Sequence, residues 1–316
     1  MQRKELSQRL PAVVQSLVDD INSLPTTRRL GDVLLPSREK VIAIIDGLQQ
    51  LAFPGYFGLA GVNSSTLPFR IGELVMELTD LLLDQVSCCL RYREGRTPGD
   101  NAECQDCDRL AADIVATFFE RLPTVRQMLA SDVQAAFDGD PAATTPDEII
   151  FCYPGLYAIM VQRLAHELLK LGVPLLPRMM TERASSLTGI EIHPGAVLGR
   201  SFMIDHGTGV VIGETTVIGN NVKVYQGVTL GLAPAYGQAL RGQKRHPTIE
   251  DDVVIYAGAT ILGGDTVIGA GCVIGGNVFL TTSVPPKNQV LLETPKLKYR
   301  DRRPKSERVD TIDFQI

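Results

Sequence analysis

Histidine is the side chain best suited to moving a proton near neutral pH, and this chain of 316 residues has four, at positions 166, 193, 206 and 246. Two of them sit in polar company. His206 lies between Asp205 and Gly207-Thr208-Gly209, and His246 lies between Arg245 and Pro247. A neutral imidazole takes a proton from a hydroxyl as that oxygen attacks, and a guanidinium such as Arg245 holds a carboxylate through two parallel hydrogen bonds. The other two histidines read as structural. His166 falls on a helix with an apolar face, and His193 precedes Pro194 at the start of a repeat.

Cysteine offers a second chemistry. Cys104 and Cys107 form a C-x-x-C, and Cys88-Cys89 precede it, so four thiols lie within twenty residues. A structural zinc ion needs four converging ligands, whereas adjacent cysteines on a helix point to different sides, and no metal is expected there. Six cysteines in the whole chain are too few for a disulfide framework, and most are expected as free thiols.

The elements that carry the two polar histidines follow a period of six. Ile192, Leu198 and Ile204 are six apart; after a slip of two residues the series continues at Ile212, Ile218, Val224 and Leu230. It resumes at Ile249 and Ile255 and, one residue late, at Leu262, Ile268, Ile274 and Leu280. This is the hexapeptide pattern of a parallel β-helix, in which each hexad makes one short strand and one corner. Of 29 glycines, eighteen lie between Gly189 and Gly276, mostly at those corners. His206 falls where the register slips, and His246 falls at the end of the excursion over 231–248. Such breaks let a side chain leave the regular wall and face a ligand.

Before residue 188 the period is that of helices. Ile71, Leu74, Val75, Leu78, Leu81, Leu82 and Val86 make one apolar stripe, residues 108–121 a second helix, and Pro123 is expected to open a third. A loop over 53–68 separates an amino-terminal helical pair from the rest, and Gly139-Asp140-Pro141 breaks the chain again. The expected organisation is therefore α+β: helical residues 1–187, a β-helix over 188–286 and a polar tail over 287–316. A net charge of −5 offers no footprint for nucleic acid, and no apolar run is long enough for a membrane span or a secretion signal. The expected location is the cytoplasm.

Residues 132–286 resemble the serine O-acetyltransferase family. The resemblance rests on Ile192-His193-Pro194, Asp205-His206-Gly207-Thr208-Gly209, Val211-Ile212-Gly213-Glu214-Thr215, Gln226 to Gly231 (QGVTLG) and Arg245-His246-Pro247, with Asp140-Pro141 and Arg163-Leu164-Ala165-His166 upstream. It implies a left-handed β-helix, trimers with active sites between copies, commonly joined as hexamers, and direct transfer of acetyl from acetyl-CoA to the hydroxyl of L-serine, the step before cysteine formation. By the match His206 is the general base, Glu191 stands where the family's histidine-orienting aspartate would be, and His246 is the second active-site histidine. Asp140 and Asp205 match residues that hold the substrate ammonium, and Arg245 the one that holds its carboxylate. Small residues Ala257, Gly258 and Gly275 suit the approach of the coenzyme. The terminal Ile316 resembles a tail that docks into O-acetylserine sulfhydrylase. Three other readings use the same scaffold: transfer to another acceptor such as a sugar hydroxyl, or from succinyl-CoA; a zinc lyase of the γ-carbonic-anhydrase type ligated by His193, His206 and His246; and a non-catalytic partner of the sulfhydrylase.

Overall fold

The computed structural model describes residues 2–28, 35–58, 61–93, 105–233 and 242–293. Cys104 and the tail to Ile316 lie outside the described residues. Among those described, seven α-helices come first: α1 (Gln2–Ser23), α2 (Arg38–Ala52), α3 (Leu67–Arg93), α4 (Gln105–Gly139), α5 (Pro146–Cys152), α6 (Pro154–Lys170) and α7 (Leu176–Thr188). The apolar stripe of α3 is buried through Leu74, Leu78, Leu82 and Val86. Two expectations need correction. Loop 53–68 does not set α2 apart, because α2 buries Val41, Ile44, Ile45 and Leu48 and packs on α3 and α7; α1 instead shows Leu6, Leu10, Val13 and Leu17 to solvent. Nor does Pro123 open a new helix. Helix α4 runs through it in one piece, since Phe118, Val125 and Leu129 are buried on both sides of it in sequence and packing outweighs one lost hydrogen bond. Cys88, Cys89, Cys152 and Cys272 are free, as expected for most of the cysteines, while Cys107 is disulfide-bonded.

Beyond Gly189, which ends α7 in the left-handed conformation, the chain winds as a parallel β-helix of three sheets. The first sheet stacks β1 (Glu191–Ile192), β4 (Val211–Ile212), β7 (Thr229–Gly231), β10 (Thr260–Leu262) and β13 (Phe279–Leu280). The second stacks β2 (Val197–Leu198), β5 (Val217–Ile218), β8 (Thr248–Ile249) and β11 (Val267–Ile268). The third stacks β3 (Met203–Ile204), β6 (Lys223–Val224), β9 (Val254–Ile255), β12 (Val273–Ile274) and β14 (Gln289–Val290). Strand residues alternate outward and inward, so the second residue of most strands is buried in a column of aliphatic side chains. In β10 that residue is Ile261, opposite Leu230, and not Leu262; the extra residue falls after Ile261. The wall also passes Pro286, because β14 pairs with β12.

The three sheets meet at three edges, and two edges are irregular. Between the third and first sheets, the corner at 205–210 holds six residues, where the coils below hold four, at 225–228 and 256–259. Between the first and second sheets, the chain leaves the wall after β7 and returns at β8. These are the two register breaks of the sequence.

Helix α6 closes the upper end of the β-helix. Arg163, with its side chain 4 % exposed, donates to both oxygens of buried Asp132 on α4 at 2.7 and 2.8 Å, and to the carbonyls of Leu198 and Gly199. Gln162 donates to the Ala196 carbonyl, and His166 Nδ1 lies 2.8 Å from the Pro194 carbonyl. The Arg-Leu-Ala-His sequence thus satisfies first-coil carbonyls that have no coil above them. Arg163→Met should lower the denaturant midpoint by an amount equivalent to ~3–5 kcal/mol, because Asp132 is left buried without its partner; an unchanged midpoint in urea unfolding contradicts this.

Candidate active site

His206 projects from the six-residue corner. Its backbone φ is +54°, a region most side chains avoid, and its side chain is 70 % exposed. The two extra residues push it out of the wall, while Asp205 stays in register through its N–H to the Val224 carbonyl. The Asp205 carboxylate lies 3.5 Å from His206 Nδ1. Above this corner sit two more groups. Helix α4 ends at Gly139, and Asp140 turns the chain by accepting from the Ala142 N–H at 2.8 Å. Its other oxygen accepts from the Tyr153 hydroxyl at 2.5 Å. Those bonds hold the Asp140 carboxyl below its usual range, Tyr153 first, with the nearby His206 a minor contributor, and the same contact pushes the Tyr153 phenol up. Tyr153 reaches this place because Gly155 lets α6 touch β3: a Cβ there would stand 2.2 Å from the Ile204 carbonyl oxygen.

The other irregular edge carries the second histidine. His246 is 8 % exposed and lies across Gly213, where any Cβ would stand 2.1 Å from the ring. Thr215 holds it. The Thr215 N–H donates to His246 Nδ1 at 3.1 Å, and the Thr215 hydroxyl lies 2.9 Å from the same nitrogen. That hydroxyl already accepts from the N–H groups of Arg245 and His246, so it donates its own proton to Nδ1. The network therefore assigns the ring proton to Nε2, which makes His246 a hydrogen-bond donor. Burial, and then the Arg245 charge, lower its pKa to about 4. Arg245 is paired with Glu214.

The two halves lie on different edges of one chain, one at the junction of the third and first sheets and one at the junction of the first and second. No family model matches the chain. A serine acetyltransferase of Synechococcus elongatus is 49% identical over 256 residues, which cover 79% of this chain and 80% of that protein. The chain belongs to the serine acetyltransferase family. A Bacillus subtilis serine acetyltransferase is 45% identical over 202 residues, 60% of this chain and 91% of that one. Among solved structures, Entamoeba histolytica serine acetyltransferase 1 in complex with L-cysteine aligns with a TM-score of 0.68 at 34% identity, covering 82% of this chain and 87% of that chain. A Neisseria gonorrhoeae serine acetyltransferase in complex with serine aligns with a TM-score of 0.52 at 27% identity, over 85% and 98%. The fold is the expected one, a helical region followed by a left-handed parallel β-helix, and the chain is an acyltransferase of this family.

In this serine acetyltransferase, Asp140, Asp205 and His206 come together, and Arg245 and His246 come together elsewhere. Glu191 does not contact His206. Its carboxylate is held by Arg178 on α7 at 3.0 Å, on the outer face of the first sheet, because its longer side chain follows the cation placed beside it. Ala257, Gly258 and Gly275 lie on the His206 edge, in the coils below. Two of them are crowded by their own chain: a Cβ at Gly258 would meet Asn277, and one at Gly275 would meet Leu291. His193 Nδ1 accepts from the Gly195 N–H at 3.0 Å, a corner role, and His166 serves the interface already described. Among the described residues no group of three or more histidine, cysteine, aspartate or glutamate side chains is arranged to hold a metal, and no helix is long and apolar enough to cross a membrane.

Tyr153, Gly213, Thr215 and Glu214 touch the candidate site residues, and the sequence assigned them no role. Tyr153 carried no signal, since a tyrosine at a helix start is ordinary. Gly213 and Thr215 stood within the repeat, and only the ring lying between them shows their use. The buried imidazole also sets a pH dependence. His246 protonates near pH 6.5 in the unfolded chain and only near 4 when folded, so the unfolded state binds more protons in that window. Stability should fall as pH drops from about 6.5 towards 4, and His246→Gln should flatten that part of a thermal-melting profile against pH; equal slopes for both proteins contradict it.

Proposed function

We propose that this chain transfers the acetyl group of acetyl-CoA to the hydroxyl of L-serine at a site shared by two copies. The Asp140, Asp205 and His206 edge of one copy faces the Arg245 and His246 edge of its neighbour. The separation of the two halves on different edges of a triangular prism supports this reading. A threefold arrangement brings the His206 edge of each copy against the His246 edge of the next, and the closed symmetry completes every site in the same way.

In the shared site, Asp140 and Asp205 hold the substrate ammonium and Arg245 the carboxylate, sharing its guanidinium with Glu214. His206 removes the hydroxyl proton as the serine oxygen attacks the thioester carbonyl carbon. The carbonyl π electrons move to oxygen, and the Nε2–H of His246 is the donor available to that oxyanion. When the tetrahedral adduct collapses the C–S bond breaks, and the proton held on His206 passes to the departing thiolate. The neutral, fixed tautomer of His246 suits it as donor, and it leaves the proton transfer to His206. The ion pair with Arg178 leaves Glu191 a positioning part for the first sheet; it would orient His206 only if that pair opened.

Thiol release from acetyl-CoA tests the proposal. Release should depend on L-serine and be far slower with succinyl-CoA or with a sugar acceptor. Equal rates with and without serine, or preference for another donor, overturn it.

A further inference from the structure

Glu191 opens β1, and its backbone ties it to the corner that carries His206. Its N–H donates to the Val210 carbonyl at 2.9 Å, and the Gly209 N–H donates to the Gly189 carbonyl at 2.8 Å, so the start of β1 is laced to the corner over 205–210. Glu191 also stands in register with Val211, the first strand residue after that corner. Its side chain nevertheless turns to α7. Arg178 Nη2 donates to one Glu191 oxygen at 3.0 Å and also pairs with Glu182 on its own helix, so one nitrogen serves two carboxylates. Such a pair opens easily. The side chains of Arg178 and Glu191 are 39 % and 41 % exposed, and water and salt screen a contact that lies so near the surface. Helix α7 also starts from a strained residue: Leu175 holds φ +63° and ψ −51°, a conformation that a leucine rarely adopts. Arg178 lies in the first turn after it, so a shift of α7 that relaxes Leu175 moves the cation.

A released Glu191 has a use at the neighbouring corner. The His206 ring protrudes there, and its ion-pair contact among the described residues is with Asp205 at 3.5 Å, the outer limit of a hydrogen bond. Asp205 is moreover engaged with the substrate ammonium in the reading given above. A carboxylate that accepts from the Nδ1–H of a histidine base fixes the tautomer with Nε2 free and stabilises the imidazolium as it forms. Glu191 therefore has two cations within its surroundings. One is permanent, on α7, and the other arises on His206 only during the reaction.

Resting on the reading of His206 as general base given under Proposed function, we propose that Arg178 is a latch on Glu191. Closed, as seen here, it withholds the carboxylate; opened, it lets Glu191 orient His206, so the placement of α7 sets the turnover rate. Arg178 is a positioning residue and touches no substrate. The experiment measures kcat and both KM values for Arg178→Met, Glu191→Gln and the double variant of the full-length protein. Arg178→Met should raise kcat about three- to fivefold, the most that an exposed ion pair withholds, with KM for serine and for acetyl-CoA within about twofold. Glu191→Gln should lower kcat by about tenfold or more, since the open form loses its orienting carboxylate. The double variant should match Glu191→Gln, because the latch then has nothing to hold. Arg178→Lys keeps a cation and should stay within about twofold of the unsubstituted rate. Should Arg178→Met fail to fold, as judged by thermal melting, Arg178→Gln is read in its place. A slower or unchanged Arg178→Met overturns the latch, as does a gain that survives in the double variant or a Glu191→Gln with full turnover. Failure of the underlying reading looks different, because His206→Ala would then keep near-normal turnover whatever residue stands at 178.

Discussion

His206→Ala is expected to lower kcat by about 10²–10⁴ while the oligomer and its melting temperature are retained. The size follows from the chemistry. A serine hydroxyl is essentially un-ionised at neutral pH, so attack on a thioester requires proton removal as the new bond forms, and the imidazole at the protruding corner is the proposed base. The retention of structure follows from the site: the side chain is 70 % exposed, and its ion-pair contact among the described residues is with the Asp205 carboxylate at 3.5 Å. The positive φ of +54° adds to the case, since alanine does not favour it and glycine does. His206→Gly should therefore be at least as stable as His206→Ala and equally slow. Near-normal turnover in either variant would remove His206 from the mechanism.

Mixing two inactive proteins should restore activity. In a His206→Ala oligomer every Arg245 and His246 half is intact, and in a His246→Ala oligomer every Asp205 and His206 half is intact. If each site takes one half from each of two copies, random mixing in equal amounts leaves about a quarter of the sites with both histidines, so about a quarter of the wild-type rate should return on co-refolding. A site built within one chain predicts none, whatever the mixing ratio. The measurement thus reads the sharing directly, and the separately folded variants mixed without exchange provide the baseline. His246→Ala leaves a cavity over Gly213 and frees Thr215, so its fold is checked first by thermal melting.

Much of the fold was legible because a hexapeptide repeat is a local rule. Each coil is built by residues six apart, so Ile192, Leu198 and Ile204 announce the wall without long-range information. The slips in that rule pointed to His206 and His246. What was harder to read depended on contacts between distant segments. Pro123 reads as a helix start by local preference, yet burial of Phe118, Val125 and Leu129 carries α4 through it. Glu191 reads as the partner of His206 by position, yet Arg178 from a preceding helix takes its carboxylate. Tyr153 has no signal of its own, and its bond to Asp140 exists because α6 is packed against β3.

The sequence by itself determined the class of this protein: its repeat period, its family motifs and the two histidines that the repeat leaves irregular. Only the tertiary structure decided where those histidines stand and what holds them. Three strands per coil place His206 and His246 on different edges, a separation set by counting sheets around the prism and invisible in linear order. The fixed Nε2 proton of His246 likewise depends on Thr215, thirty-one residues away in sequence and one coil away in space. A side chain's identity names the chemistry available to it, and its neighbours across the coils choose which part it takes.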